Sequence, residues 1–166
     1  MEMRVRRAGV GDRDALVGLR IANAERHVEL DPGLYRLPDA EAVRRHFDAL
    51  LSGGSDSLVL VAENETRVVG MAELVPLALP PDHQILIPRP AAEIHTVVLD
   101  GHRGEGVGAA LVAAIERGAV ERGIVVLYAG IFAPNTAATR FYSAAGFGPR
   151  GTLLSKELPT RPACAP

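Results

Sequence analysis

Val97-Val98-Leu99-Asp100-Gly101-His102-Arg103-Gly104-Glu105-Gly106-Val107-Gly108 decides how this chain is read. An apolar, β-branched run ends in a turn, and a glycine-rich arch follows with Arg103 at its mouth. An alanine- and leucine-rich stretch then begins, Ala109-Ala110-Leu111-Val112-Ala113-Ala114-Ile115. A strand that feeds a helix through glycines leaves backbone N–H groups pointing at one spot, and the helix dipole makes that spot attractive to anions. The stretch therefore predicts a pyrophosphate site.

Three glycine-loop classes compete for it. The nucleoside-triphosphatase loop requires Gly-x4-Gly followed by Lys and a hydroxyl residue, and neither follows Gly108. The dinucleotide fingerprint requires Gly-x-Gly-x-x-Gly, and Gly104, Gly106 and Gly108 have the wrong spacing for it. The pattern that fits is Arg/Gln-x-x-Gly-x-Gly/Ala, at Arg103 to Gly108. Downstream lies Asn135-Thr136-Ala137-Ala138-Thr139-Arg140-Phe141-Tyr142-Ser143-Ala144-Ala145-Gly146-Phe147, an Asn-led apolar helix with a Phe-Tyr pair and a closing Gly-Phe. The two stretches, in this order, resemble the paired motifs of the GNAT superfamily of acyl-CoA-dependent N-acetyltransferases. The resemblance runs from residue 2 to about residue 158.

Bulk properties narrow the field independently. A chain of 166 residues suits one domain with one core. We expect residues 1–158 to form that domain and 159–166 a flexible Pro-rich tail. With 18 basic and 20 acidic side chains there is no basic stripe, which argues against nucleic acid as a partner. No apolar run reaches bilayer-spanning length, and the N-terminus lacks an apolar signal core, so a cytoplasmic protein without a membrane partner is expected. The single cysteine, Cys164, can form no internal disulfide. No metal is expected.

Periodicity supplies the elements. Glu2 to Arg7 alternates as a strand, and Asp12 or Asp14 caps a helix carrying Leu16 and Leu19. Asp31-Pro32-Gly33 marks a turn inside a connecting segment, Glu25 to Pro38. A second helix carries Val43, Phe47, Leu50 and Leu51. Leu58–Ala62 and Arg67–Leu77 form a hairpin, with Gly70 as the candidate for a bulge. Residues 78–90 form a proline-rich loop, either a packed surface excursion or a wall of the acceptor pocket. The motif strand runs from about Ala92 to Leu99. The helix from Gly106 to Arg122 places Val107, Leu111, Ile115 and Ala119 on one face. Ile124–Tyr128 reads as a buried strand, Asn135–Ala145 as a helix, and Phe147–Leu158 as a last strand or hairpin.

The fold class is therefore mixed α/β (α+β). We expect a central, mostly antiparallel mixed sheet of six to seven strands with helices on both faces. The resemblance implies a V-shaped splay between the fourth and fifth strands, with the CoA arm in the gap.

Acetyl transfer from a thioester to an amine makes three demands. The amine must be neutral, the developing oxyanion needs a fixed donor, and the departing thiolate benefits from a proton. The resemblance implies direct attack of the amine through a tetrahedral intermediate. It implies an oxyanion donor in the backbone at Val98, with Val97 and Leu99 sharing the assignment because Asp100-Gly101 can slide the register by one residue. It assigns the thiolate's acid to Tyr142. Glu93 and His95, two apart and so on one face of the strand, are the candidate bases, with Glu93 preferred. Glu73 on the neighbouring strand adds negative potential and is expected at the surface. Arg103 and the N–H groups of Gly104, Glu105, Gly106, Val107 and Gly108 hold the pyrophosphate, with the Glu105 side chain turned to water. Asn135 bonds the pantetheine arm, a strand backbone or its own helix. The expected function is acetyl-CoA-dependent N-acetylation of a small-molecule primary amine. Alternatives are a protein or peptide amine as acceptor, or a non-catalytic CoA-binding sensor. A homodimer is among the assemblies open to it.

Overall fold

The computed structural model of the protein describes residues 3–158. Glu2, the tail from 159 and Cys164 lie outside the described residues. Among the described residues five strands form one sheet in the order of the chain. They are β1 (Arg4–Arg7), β2 (Leu58–Glu63), β3 (Val68–Pro76), β4 (Ala91–Val98) and β5 (Val126–Tyr128). The first three pairings are antiparallel and β4–β5 is parallel. The helices are α1 (Arg13–Leu30), α2 (Ala40–Leu51), α3 (Val107–Glu121) and α4 (Thr136–Ala144). A single 3-10 turn, Val10–Asp12, precedes α1.

Both faces of the sheet are covered. Leu16 and Leu19 of α1 and Val43 and Phe47 of α2 pack on Val59, Val61, Met71 and Val97. Val107, Leu111 and Ile115 of α3 pack on Leu60, Ala72, Leu74, Ala92 and Ile94, and Tyr142 of α4 joins them. The four-residue spacing along α3 builds this face, as its sequence predicts.

Close glycines set how near α3 comes. A methyl group on Gly70 would meet the Val97 carbonyl at 3.0 Å and Val107 and Leu111 at 3.1 Å. One on Gly118 would meet Leu58 at 2.5 Å. The β2–β3 register shifts at Ala62/Glu63, opposite Gly70 and Val68, so the expected bulge is present beside Gly70.

Four expectations are corrected. Five strands, not six to seven, are present among the described residues. The missing part is residues 147–158, which form no strand. Gly148, Pro149 and Gly151 interrupt that stretch, proline lacks a ladder donor, and Leu153 and Leu154 stand in solvent. Second, Glu25 to Leu30 is not connecting loop but the last turns of α1. The chain leaves the helix only at Asp31, whose carboxylate accepts from the Gly33 N–H at 2.9 Å. Third, β5 is shorter and less buried than expected, since Val125 is exposed and the strand opens at Val126. Fourth, loop 78–90 turns Ile85, Leu86 and Ile87 to solvent. No helix among the described residues is long and apolar enough to cross a membrane.

Candidate active site

The parallel pair β4–β5 is short. Ala91, Ala92 and Glu93 lie opposite Val126, Leu127 and Tyr128, and there β5 ends. Among the described residues, the remainder of β4 keeps only its antiparallel partner, β3. Leu77 N–H donates to the Ala91 carbonyl and Leu99 N–H to the Val69 carbonyl, both at 2.9 Å. With the β3–β4 register, these bonds turn the odd-numbered residues of β4 toward β3 and the even-numbered ones away. The main-chain groups of Thr96 and Val98 therefore face the gap, where β5 has no residue opposite them. The splay expected between the fourth and fifth strands is present.

At the end of β4 the arch closes the gap. Gly101, Gly104 and Gly106 adopt φ of 84°, 79° and 82°, a region that residues other than glycine rarely occupy. Gly106 is the residue before α3, so the helix begins directly at the arch. Gly108 does not share that conformation. It is helical, and its lack of a side chain admits Phe141 of α4, whose ring would meet a methyl group at 2.8 Å. Gly108 thus serves the packing of α4 on α3 rather than the turn of the arch.

Arg103 folds back from the arch. Its Nε and Nη2 donate to the Val98 carbonyl at 3.3 and 3.2 Å, and its Nε lies 3.1 Å from Asp100. Arg26 of α1 donates to the same Asp100 carboxylate at 3.0 Å. Burial and the neighbouring Arg26 charge lower the Arg103 pKa, with Asp100 opposing them. The half-exposed Glu105 carboxylate lies 3.2 Å from His102.

A cavity of about 390 Å³ runs from the arch into the gap. Thr96, Val97 and Val98, the glycines 104, 106 and 108, Asn135, Phe141 and Tyr142 line it, together with Asn23, Arg26 and His27 of α1. Asn135 caps α4, its side chain accepting from the Ala138 N–H at 3.1 Å, and still borders the cavity. Sequence reasoning misses these α1 residues because nothing local shows that α1 lies across β4, and the turn signal at residues 31–33 also makes Arg26 and His27 read as loop.

Tyr142 is buried on the α3 side of the sheet. Burial raises its phenol above the ordinary value, the Thr96 hydroxyl and N–H beside it partly offset this, and the charge of Glu93 adds to it. The buried Thr96 Oγ1 completes no hydrogen bond among the described residues. An unpartnered hydroxyl and unpaired main-chain groups along the gap fit the amides of a pantetheine arm.

Glu93 and His95 project from the opposite face of β4, both half-exposed, with Glu93 Oε2 4.0 Å from His95 Nε2. Glu93 stands nearest the gap, opposite Tyr128, whereas His95 lies opposite Glu73. Glu73 is not at the surface. It is 3% exposed, ion-paired with Arg20 at 2.7 Å and within 3.5 Å of His46. The α1–α2 pair, packed over β3, buries it, and no local pattern signals that. Loop 78–90 lines no part of this cavity. Tyr35, between α1 and α2, does not line it but meets the lining residue His27 edge-on at 4.9 Å and Phe132 at 5.2 Å.

Solved structures share this architecture. A mutant of the BH1408 protein from Bacillus halodurans superposes with a TM-score of 0.81 at 22% identity, over 95% of this chain and 99% of that one. An aminoglycoside N-acetyltransferase, AAC(6')-Iy, in complex with CoA gives 0.71 at 19% identity, over 95% of each chain. A predicted acetyltransferase with acetyl-CoA from Clostridium acetobutylicum gives 0.70 at 20% identity, over 94% of this chain and 96% of that one. At these identities the likeness speaks for the fold. No curated protein matches the sequence. The family profile described as "Acetyltransferase (GNAT) family" matches residues 23–147, a span that holds the splayed strands, the arch and Tyr142, and the chain belongs to that family.

Proposed function

We propose that the chain transfers an acetyl group from acetyl-CoA to the primary amine of a small molecule. One observation carries the reading. Tyr142 and Glu93 stand on opposite faces of the sheet where β4 loses β5, and a cavity lined by Tyr142 and Thr96, though not by Glu93 or His95, leads from there to the arch. Acetyl-CoA supplies the acetyl group as a thioester.

The protein's own groups then have separate tasks. The arch N–H groups and Arg103 hold the pyrophosphate. Of the three candidates for the oxyanion donor, Val98 is the one whose N–H faces the gap; the Leu99 N–H is occupied by Val69, and Val97 faces β3. The Val98 N–H is thus fixed where the thioester oxygen gains charge, so little reorganisation is needed during reaction. Tyr142 keeps its proton in a buried setting and delivers it to the departing sulfur. Glu93 takes the amine proton, directly or through a water, and His95 stands behind it as a second acceptor.

Tyr35 and Phe132 stand edge-on behind His27, which lines the cavity, and this aromatic bulk beside it favours a small amine over a folded protein surface. The test is release of thiol from acetyl-CoA with tyramine, spermidine, kanamycin and a lysine-containing peptide as acceptors. Turnover of at least one small amine is expected, with Tyr142→Phe losing turnover and keeping CoA affinity. Turnover of the peptide alone would move the reading to protein acetylation. CoA binding without turnover of any acceptor would favour a sensor.

A further inference from the structure

Gly130 lies two residues beyond β5, where the chain leaves the sheet toward α4. A methyl group built on it would stand 2.9 Å from Glu93 Oε1 and within 4 Å of no other atom beyond its chain neighbours among the described residues. The bare α-carbon therefore faces one thing, a carboxylate oxygen. Glu93 occupies the last paired position between β4 and β5, so its side chain sits where the two strands part. A glutamate side chain has three rotatable bonds and sweeps a wide arc unless something shapes its surroundings. His95, 4.0 Å away, borders one side, and Gly130 leaves the recess on the other.

We propose that Gly130 is a positioning residue for Glu93: its missing side chain creates the recess that seats the carboxylate at the mouth of the gap, across from Tyr142. The Glu93 charge is the smallest of the influences on the Tyr142 phenol, which puts the two groups within electrostatic reach of each other across β4. The inference rests on the reading that Glu93 accepts the amine proton. Gly130 is outside the positive-φ region, so alanine is accommodated there without backbone strain. The added methyl displaces a flexible side-chain end rather than backbone. The fold is expected to survive and the carboxylate to move.

The test is a double-mutant cycle of G130A, E93Q and the pair together, assayed with whichever small amine turns over fastest. G130A should lower kcat about tenfold, because a misplacement on the order of 1 Å is enough for such a loss. Its KM for acetyl-CoA and its thermal midpoint should match the parent. In the E93Q background the same substitution should cost nothing further, since its effect runs through the carboxylate. Full turnover by G130A, or an equal loss with and without Glu93, would overturn the proposal. Should E93Q retain the parent rate, or no amine turn over, the proton-acceptor reading itself fails. A crystal structure of G130A then decides the positioning claim: a carboxylate moved by about 1 Å or more supports it, and one left in place overturns it.

Discussion

Tyr142 gains its capacity from where it is buried. A phenol raised above its usual value of about 10 keeps its proton throughout the neutral and mildly alkaline range. Ionisation of this group should leave kcat level up to about pH 10. A pH profile whose alkaline limb has a midpoint near pH 8, and which disappears in Tyr142→Phe, would contradict this. Removing the hydroxyl should lower kcat roughly 100-fold or more, the range for loss of a general acid, with CoA affinity within about twofold by calorimetry. Asp12 illustrates a different use of a charge. Arg6 lowers its pKa through two hydrogen bonds of 2.7 and 2.8 Å, burial opposes them, and the Gly9 N–H adds a third bond. The folded value lies below the unfolded one, so this stabilisation is complete above about pH 4 and lost as pH falls through the folded value. Asp12→Asn should cost about 2 kcal/mol of unfolding free energy at pH 7 and clearly less at pH 3. Equal losses in urea titrations at the two pH values would refute the assignment.

At the scale of elements, the approach of α3 to β3 carries the arch into place. Gly70→Ala presses a methyl group on the Val97 carbonyl, which cannot step aside, and on Val107 at the start of α3. The expected cost is about 2 kcal/mol, the range for overpacking a filled core. Weaker CoA binding should accompany it, because Val107 directly follows the arch. Gly18, in the middle of α1, is the control: a methyl group added there would meet no described atom within 4 Å outside its own helix backbone. There alanine should raise stability by about 0.5–1 kcal/mol, and thermal melts of the two variants should move in opposite directions. The elements also show where sequence reading reaches and where it stops. The α3 face, the arch and the Phe141–Tyr142 pair are legible because each depends on spacing within a dozen residues. Residues 25–30 are not, because the Asp31-Pro32-Gly33 signal marks a turn without fixing how far the preceding helix runs. Residues 147–158 invite a strand by their place after α4, while Pro149 and the flanking glycines argue locally against one.

Across the whole molecule, the illegible parts of the site share one cause. Glu73 is buried because α1 and α2 close over β3, more than 20 residues away in the chain. Gly108 matters through Phe141, and Gly130 through Glu93, each across more than 30 residues. Asn23, Arg26 and His27 reach the cavity because α1 lies across β4. The sequence marks the candidate groups, but the packing that seats them is written in contacts between distant elements. The choice among Val97, Val98 and Leu99 has the same character, since only the pairing of β4 with β3 tells which N–H is free. That N–H is the most direct handle on the account. In a titration of the isotope-labelled protein with acetyl-CoA, followed by amide nuclear magnetic resonance, saturable shifts are expected at Val98, Gly104 and Gly106, with smaller ones at Val97 and Leu99. Unmoved Val98 and arch amides at saturating acetyl-CoA would contradict a thioester held in the gap between β4 and β5.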